Sequence, residues 1–345
     1  MMSKNITVLA AITLAGCTAG KDSGNETVDP GNCAVTAAAE YPVDGQPDAY
    51  YRSRVEFDLS DADDTASVSL ADSSGAAVDG TSSLEDDSEL VVFTPASPLA
   101  PSTSYTATLT WCGGENSITF TTSALGAATS VDLVGKTYNV DITSGRFVEP
   151  AGVGDLLGGL LENSILFGVT EVTDSSITFR GAISEEGNPN QDVCTPSLND
   201  FPAADYSDPY FNLSASELNL SVAGFELNID AINIAGTFAA DGSYFGGGEL
   251  NGELDARDIG PLLKGQIDDT SPDAICDLLI GFGVSCAPCS SDGESYCANV
   301  VIDQLIGTEQ SGEVQEINQE DCFEGCAASC DNAECAEAST FDVCN

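Results

Sequence analysis

Residues 103–122, TSYTATLTWCGGENSITFTT, show the clearest strand pattern in the chain. Apolar and polar residues, mostly threonine, alternate along this stretch, with the apolar positions at Tyr105, Ala107, Leu109, Trp111, Ile118 and Phe120. A period of two places alternate side chains on opposite faces of a β-strand. Threonine on the outer face adds β-propensity. The stretch therefore predicts two short strands, each with one buried and one solvated face.

The same alternation continues upstream. It recurs in three segments whose inward residues are Val55, Phe57 and Leu59, then Val68 and Leu70, then Val91 and Phe93. Turn-rich stretches at 72–75 and 95–101 separate these segments. Six or seven short strands between about residue 33 and residue 122 are typical of a small β-sandwich.

Specific residues of this region resemble a known family. The runs Val92-Phe93-Thr94-Pro95 and Thr103-Ser104-Tyr105-Thr106, with Leu99 between them and Phe120-Thr121-Thr122 at the end, are similar to the SbsA-type bacterial Ig-like domain. The resemblance implies an Ig-like β-sandwich over residues 33–123, working as a spacer or adhesion module of surface proteins, and it carries no catalytic residues across.

One feature departs from that family. Most members lack the pair Cys33 and Cys112, which we expect to form a disulfide that ties the start of the domain to its penultimate strand. The chain-entropy model assigns such a loop roughly 4 kcal/mol of stabilisation.

Residues 123–130 indicate a linker, and residues 131–310 form a larger β-rich region. Alternating segments predict strands around Tyr138, Ile165, Ile177, Leu218 and Phe225. They are compatible with an antiparallel sheet, a barrel or a second sandwich. Two glycine features predict irregularities: a bend or bulge at Gly181, and another at Gly246-Gly247-Gly248.

Two segments of this region have helical spacing. They are 153–165, with a leucine stripe from Leu156 to Leu161, and 273–282, around Ile275 and Leu279. We expect both to be short helices that plug or cap the sheet, their apolar stripes belonging to the core. The alternative interpretation makes the Leu156 to Leu161 stripe the wall of a pocket for an apolar ligand.

The N-terminus predicts export and lipidation. Residues 1–16 read as a signal peptide whose apolar region is too short to span a bilayer. Leu14-Ala15-Gly16-Cys17 resembles the bacterial lipobox, which implies that Cys17 carries diacylglycerol and palmitate. Thr18, rather than Asp, after the cysteine implies the outer membrane, in a periplasmic or surface-exposed position. Residues 17–32 would form a flexible tether.

Twelve cysteines remain besides Cys17, and an even number in an oxidising compartment predicts disulfides. Cys286-x-x-Cys289 also suits a zinc knuckle, but the chain has no histidine and disulfides are the favoured interpretation. We expect a Cys-rich tail at 311–345, after a loose stretch at 307–320. The candidate partners of the tail cysteines are Cys286, Cys289 and Cys297, and the spacing leaves the pairing open. The predicted disulfide cysteines are Cys33, Cys112, Cys194, Cys276, Cys286, Cys289, Cys297, Cys322, Cys326, Cys330, Cys335 and Cys344.

Charge excludes several functions. The 345 residues contain 56 Asp and Glu against 9 Lys and Arg, a net charge of -47, so nucleic-acid binding is not expected. Without histidine there is no Ser-His-Asp or Cys-His catalysis. The acidic run Asp58, Asp61, Asp63 and Asp64 lacks the spacing of a calcium loop and predicts a solvated loop instead. The acidity itself is typical of adaptation to salty water.

These features together predict a mainly all-β protein that is not an enzyme and has no cofactor or metal. It would be a membrane-anchored lipoprotein with a structural, adhesion or surface-interaction role, whose partners are other surface proteins or cell-wall material. The alternative is a binding module for an apolar ligand in residues 131–310, and a carboxylate-based hydrolase is the third hypothesis.

Overall fold

The computed structural model describes residues 33–150, 163–193, 195–198, 201–222, 225–260, 263, 267–281 and 283–317. Within these ranges the protein is mainly β, with antiparallel sheets, as the alternating patterns predict. None of the helices in these ranges has the length and apolar character that a membrane crossing requires.

The first unit is a seven-stranded sandwich. Its sheets have the strand orders β1-β2-β5-β4 and β3-β6-β7, and the inward residues of both sheets form one apolar core. A 3-10 turn at Asp86–Ser88 precedes β5. The strands are β1 (Ala37–Tyr41), β2 (Val55–Leu59), β3 (Ser67–Asp72), β4 (Gly80–Glu85), β5 (Leu90–Pro95), β6 (Ser104–Trp111) and β7 (Gly114–Thr121).

The second unit is a ten-stranded antiparallel sheet that closes on itself. Eight strands follow the order β13-β12-β11-β10-β8-β17-β16-β15, and β15 pairs back with β13, while β14 and β9 are added to β15 and β17. A 3-10 turn at Ile142–Ser144 lies between β8 and β9. The strands are β8 (Thr137–Val140), β9 (Arg146–Glu149), β10 (Ile165–Val172), β11 (Ser176–Ile183), β12 (Ala204–Ser207), β13 (Tyr210–Ser214), β14 (Glu217–Val222), β15 (Phe225–Phe238), β16 (Tyr244–Asp255) and β17 (Cys297–Gln310).

Aromatic side chains fill the inside of this closed sheet. Phe211, Phe238 and Phe245 are at most 2% exposed, and their ring centroids lie 5.2–6.0 Å apart. One void of the described interior lies beside Phe245 and Leu305, and its volume of about 10 Å3 is no more than the space of one water molecule. This part of the interior therefore has no room for the apolar ligand of the alternative hypothesis. The Leu156 to Leu161 stripe lies outside the described residues.

Two short helices stand at one end of the closed sheet. Helix α1 is Ala256–Ile259 and helix α2 is Pro272–Ile280, which overlaps the segment 273–282 that the sequence predicts as helical. Ser271 caps α2, its hydroxyl accepting from the Ala274 amide at 3.4 Å. The buried residues Ile275 and Leu279 pack against Ala256 and Ala298. Of the other predicted helix, 153–165, residues 153–162 are not described, and Ile165 begins β10.

The second unit differs from the sequence predictions at three places. Gly181 does not bulge: it pairs in register with Phe167, and the ring of Phe201 lies 2.5 Å from the position of a Cβ. Glycine at position 181 therefore makes room for the Phe201 ring. The stretch 307–320 is not loose as far as 317, because residues 307–310 belong to β17 and Ile317 is buried. Gly246-Gly247-Gly248, expected as a bend or bulge between strands, does form a bulge, but the bulge lies inside the single strand β16.

Candidate functional site: the cleft between the two units

The segment 50–54, YYRSR, joins the sandwich to the closed sheet. The Tyr50 and Tyr51 hydroxyls lie 2.8 and 3.4 Å from the hydroxyl of Thr237, which is fully buried. Burial raises the pKa of Tyr50, so this phenol stays neutral and keeps its hydrogen bond. Ala239 and Tyr244 of the second unit pack into the sandwich core. The two units therefore share apolar surface as well as hydrogen bonds.

The glycine bulge of β16 forms the socket for this segment. Pairing with β17 shifts register between Phe245 and Gly248, which leaves Gly246 and Gly247 outside the β16–β17 ladder. Gly247 has a φ of +57°, and the Tyr50 ring occupies the space that a Cβ at this position would need. Glycine is needed here both for the left-handed backbone and for the close approach of the ring.

Arg52 lies at the centre of the cleft beside this joint. Its guanidinium stacks on the Tyr210 ring at 3.6 Å from the centroid, a close cation-π contact across the two units. Arg52 is half-buried and makes no ion pair within 4.0 Å among the residues that the structure describes. Because stacking fixes only the face of the guanidinium, its N–H edge is free to meet another group.

Two further arginines line the cleft, and both are held by carboxylates. Arg54 bonds Glu56 at 2.7 Å and Glu85 at 3.0 Å. Arg146 donates from two nitrogens to Asp303, at 2.9 and 2.5 Å. The hydrogen bond to Asp303 is the main cause that raises the pKa of Arg146. These pairs fix the walls of the cleft without leaving an isolated charge.

Glu249 lines the same two cavities as Arg52. Its side chain is open to solvent at the mouth, yet the cleft walls displace enough water to raise the pKa of its carboxyl. The negative charge of Asp303 acts in the same direction, whereas Arg52 opposes it. Register shifts next to Glu249 in both β15–β16 and β16–β17 aim this side chain into the cleft.

Two cavities, of about 310 and about 320 Å3, open on either side of Arg52 and Glu249. Tyr50, Arg52, Gly247 and Glu249 line both of them. The first also includes Tyr51, Thr94, Pro95, Ala96, Ser97, Pro98, Tyr210 and Ala235. The second also includes Tyr41, Ser53, Arg54, Glu56, Arg146, Val148, Asn251, Val301, Asp303 and Gln304.

The predicted disulfide cysteines lie elsewhere. Cys33 and Cys112 form a disulfide with a Cα–Cα distance of 5.6 Å, which closes the 79-residue loop of the sandwich. Two local disulfides, Cys276–Cys286 and Cys289–Cys297, staple the segment between α2 and β17. Cys17 and Cys194, and the tail cysteines Cys322, Cys326, Cys330, Cys335 and Cys344, lie outside the described residues.

Cys286, Cys289 and Cys297 were the candidate partners of the tail cysteines, and that prediction is wrong. All three are bonded within the segment 276–297. The physical reason is local: Ala287 and Cys297 form an antiparallel bridge with hydrogen bonds of 2.6 and 3.0 Å. This bridge brings Cys289 within a Cα–Cα distance of 4.9 Å of Cys297, so the nearest sulfur is its partner. The zinc-knuckle interpretation of Cys286 and Cys289 fails for the same reason, since neither sulfur is a thiolate.

One group of possible metal ligands, Asp255, Cys289 and Cys297, does come together within 4.8 Å. Two of these three ligands are the sulfurs of one disulfide, and Asp255 is bonded to Arg257 at 2.5 Å. The oxidised site therefore offers no free anionic ligand. In the acidic run, Asp58, Asp61 and Asp64 are exposed, as the sequence predicts, whereas Asp63 is 7% exposed and folded into the sandwich.

Sequence reasoning missed Arg52, Tyr210 and Glu249. No motif links them, and the sequence separation between Arg52 and Tyr210 hides their contact. One signal was present: two of the nine basic residues of the chain occur in YYRSR, beside two tyrosines, in a protein with a net charge of -47. A segment that combines arginines and tyrosines in such an acidic chain indicates a contact site.

Comparisons with solved structures give only faint likenesses. A DUF4784 family protein from Bacteroides caccae is 7% identical, with a TM-score of 0.19 over 64% of this chain and 77% of that one. The cycloalternan-forming enzyme and an uncharacterized protein, both from Listeria monocytogenes, are 10% identical, with TM-scores of 0.16 and 0.15. They cover 63% and 60% of this chain, which spans 21% and 20% of their own lengths. These values establish neither fold nor function.

No curated protein matches the chain. The family comparison is informative for the first unit only. The match extends over residues 32–122, which include the seven strands, the Cys33–Cys112 disulfide and the YYRSR segment. Residues 32–122 match the bacterial Ig-like domain, and the first unit is therefore Ig-like, as its sequence predicts.

Proposed function

We propose that this protein is a non-catalytic, lipid-anchored component of the bacterial surface. The observation that carries the proposal is the Ig-like domain in fixed contact with the closed sheet, through Tyr50, Tyr51 and Arg52. Hydrogen bonds, stacking and shared apolar core resist bending at this joint. Such a joint suits a structural or adhesion module that holds a domain at a set distance from the membrane.

The anchor in this proposal is diacylglycerol on Cys17, at the end of the lipobox-like run, with residues 17–32 as the tether. Thr18 after the cysteine supports the outer membrane, in a periplasmic or surface-exposed position. The partners would be other surface proteins or cell-wall material. The charge of -47 suits this exposed location, because abundant carboxylates keep a surface soluble in salty water.

Fractionation of bacteria that express the full chain tests the anchor. The wild-type protein is expected in the outer-membrane fraction and Cys17→Ser in the soluble or inner-membrane fraction, since only the cysteine accepts the lipid. Cys33→Ser is the matched control, because it removes a cysteine of the folded domain and is expected to leave the anchor intact. Membrane attachment of Cys17→Ser equal to that of the wild type would refute the lipid anchor.

A carboxylate-based hydrolase is the second candidate, and one observation favours it. Glu249, whose pKa is raised, shares the cleft with Asp303, which Arg146 holds as a bidentate acceptor. Two carboxyl groups that line one cavity, one of them with a raised pKa, are the kind of groups that acid-base hydrolysis uses. Incubation with maltotriose, cellotriose, mannotriose or xylotriose, followed by mass spectrometry, tests it: cleavage by the wild type that Glu249→Gln abolishes would support this candidate over the first.

A further inference from the structure

The charges lining the interdomain cleft are balanced, and this balance indicates what kind of ligand fits. The first cavity contains one arginine and one carboxylate, Arg52 and Glu249. The second contains three arginines, Arg52, Arg54 and Arg146, and three carboxylates, Glu56, Glu249 and Asp303. In a chain with 56 acidic and 9 basic residues, a neutral lining is a local exception. Neither an anion nor a cation gains net Coulomb attraction from such a lining.

Within this lining, Arg52 and Glu249 are the groups available to a ligand. Arg54 and Arg146 are already bonded to carboxylates at 2.5–3.0 Å. Arg52 is fixed by its stacking on Tyr210 at 3.6 Å and presents N–H donors at its edge. Glu249 presents carboxylate acceptors and lines both cavities together with Arg52. The cleft thus offers a donor fixed by stacking, on Arg52, and an acceptor, on Glu249, that line the same two cavities.

A ligand hydroxyl group can accept a hydrogen bond from Arg52 and donate one to Glu249, because a hydroxyl is both a donor and an acceptor. Apolar wall surface is also present in the first cavity, from Tyr50, Tyr51, Pro95 and Pro98. The C–H face of a sugar ring can lie against such a wall while its hydroxyls reach the polar groups. Cavities of about 310 and 320 Å3 fall in the range of small-molecule sites, which occur preferentially at domain interfaces.

We propose that the cleft between the Ig-like domain and the closed sheet binds a neutral saccharide. Arg52 and Glu249 form the central hydrogen-bonding pair, and the tyrosine and proline side chains form the apolar wall. A carboxylate-bearing ligand fits less well, since Glu249 already balances the charge of Arg52 and the net charge of -47 repels anions. This inference goes beyond the proposed surface role and does not depend on the lipid anchor.

Titration calorimetry on the purified full chain tests the proposal. The probes are four neutral trisaccharides (maltotriose, cellotriose, mannotriose and xylotriose), with trigalacturonic acid as the charged comparison. At least one neutral trisaccharide is expected to bind with a Kd below about 10 mM, and more tightly than trigalacturonic acid. Arg52→Ala is expected to weaken this binding at least about tenfold, because it removes the central donor.

Matched variants separate the site from general damage to the fold. Arg180→Ala removes an arginine that bonds Glu316 away from the cleft, and it is expected to bind like the wild type. Tyr210→Phe keeps the ring under Arg52 and is expected to retain binding, whereas Tyr210→Leu releases the guanidinium and is expected to weaken it. Near-ultraviolet circular dichroism checks that each variant is folded.

Three results would overturn the proposal. They are the absence of binding by all four neutral trisaccharides up to about 10 mM, preferential binding of trigalacturonic acid, and binding that persists in Arg52→Ala. If Arg52→Ala fails to fold, Arg52→Lys replaces it. Lysine keeps the charge but loses the planar fork, so the same tenfold weakening is expected and its absence would equally refute the site.

Discussion

Asp63 shows how one carboxylate of an acidic run becomes structural. It is 7% exposed, and its oxygens accept from the Thr65 amide at 2.9 Å, the Thr65 hydroxyl at 2.6 Å and the Cys112 amide at 2.6 Å. Burial alone would raise its pKa, but these hydrogen bonds outweigh burial and lower the pKa. The ionised carboxylate therefore links the loop before β3 to the β6–β7 turn, next to the Cys33–Cys112 disulfide.

Asp63→Asn is expected to lower the free energy of unfolding at pH 7 by about 1–3 kcal/mol, because an amide is a weaker acceptor and brings an NH2 group to a site that needs acceptors only. A carboxyl whose pKa is lower in the folded state contributes stability at pH values above its unfolded-state pKa of about 3.9. This contribution is lost as the pH falls through the folded-state pKa. The difference between wild type and variant should therefore shrink below about pH 4.

Urea unfolding at pH 7 and at about pH 3 measures both effects. Asp61→Asn is the matched control, since Asp61 is exposed and, among the residues that the structure describes, its side chain accepts from its neighbour alone, the Ala62 amide. We expect that control to change stability little at either pH. Equal losses for the two variants would mean that the buried hydrogen bonds of Asp63 contribute nothing specific.

At the scale of elements, the sandwich strands that the sequence predicts are those with buried inward residues. Strand β2 has alternately buried and exposed residues and is visible as a period of two in Val55, Phe57 and Leu59. Strands β1 and β4 carry no such signal: β4, GTSSLE, has no buried residue, and β1 is mostly alanine. Both lie at the edges of their sheet, where backbone pairing rather than side-chain burial forms the strand.

The sequence predicts the glycine bulge of β16 as an irregularity, but it does not predict that the Tyr50 ring packs against this bulge. The sequence indicates a break in the ladder, whereas only the tertiary structure brings Tyr50 to it, across nearly two hundred residues. A hydrophobic or glycine pattern reports what a segment does locally. It holds no information on which distant segment packs there, and for this reason the cleft residues could not be assigned in advance.

Gly247→Ala tests the bulge as a socket. Gly247 and Gly187 have similar φ values, +57° and +62°, but a Cβ at Gly247 meets the Tyr50 ring, whereas a Cβ at Gly187 meets nothing within 4 Å. Alanine at either position costs about 1–2 kcal/mol for the left-handed backbone. Gly247→Ala is expected to lose a further 1–3 kcal/mol or so by displacing the ring.

Thermal unfolding of both variants gives the comparison, and the rate of proteolysis in the linker 123–130 gives a second readout. That linker is held on both sides, by Leu125 in the sandwich core and by Thr129 on Asp208 at 2.8–2.9 Å. Displacement of Tyr50 should loosen the joint and speed cleavage in Gly247→Ala alone. If both variants unfold at the same temperature and are cleaved at the same rate, the packing of the Tyr50 ring on Gly247 does not stabilise the contact between the two units.

At the scale of the whole molecule, the net charge sets the response to salt. Five of the nine cations, Arg54, Lys136, Arg146, Arg180 and Arg257, form ion pairs among the described residues. Exposed pairs of this kind contribute about 0.2–1 kcal/mol each, and salt weakens them. The remaining excess of carboxylates repels itself in the folded state, and salt relieves that repulsion.

Because 56 acidic residues face only 9 basic ones, relief of repulsion should exceed loss of ion pairs. The Tm is expected to rise by at least about 5 °C between low salt and about 1 M NaCl, where the Debye length falls from about 30 to 3 Å. Calorimetry at pH 7 in NaCl and KCl measures the rise, which should be equal in the two salts if screening is the cause. CaCl2 at matched ionic strength distinguishes screening from a specific cation site. A Tm that falls with NaCl would mean that the few ion pairs outweigh the repulsion of the acidic surface, and that the acidity is no adaptation to salt.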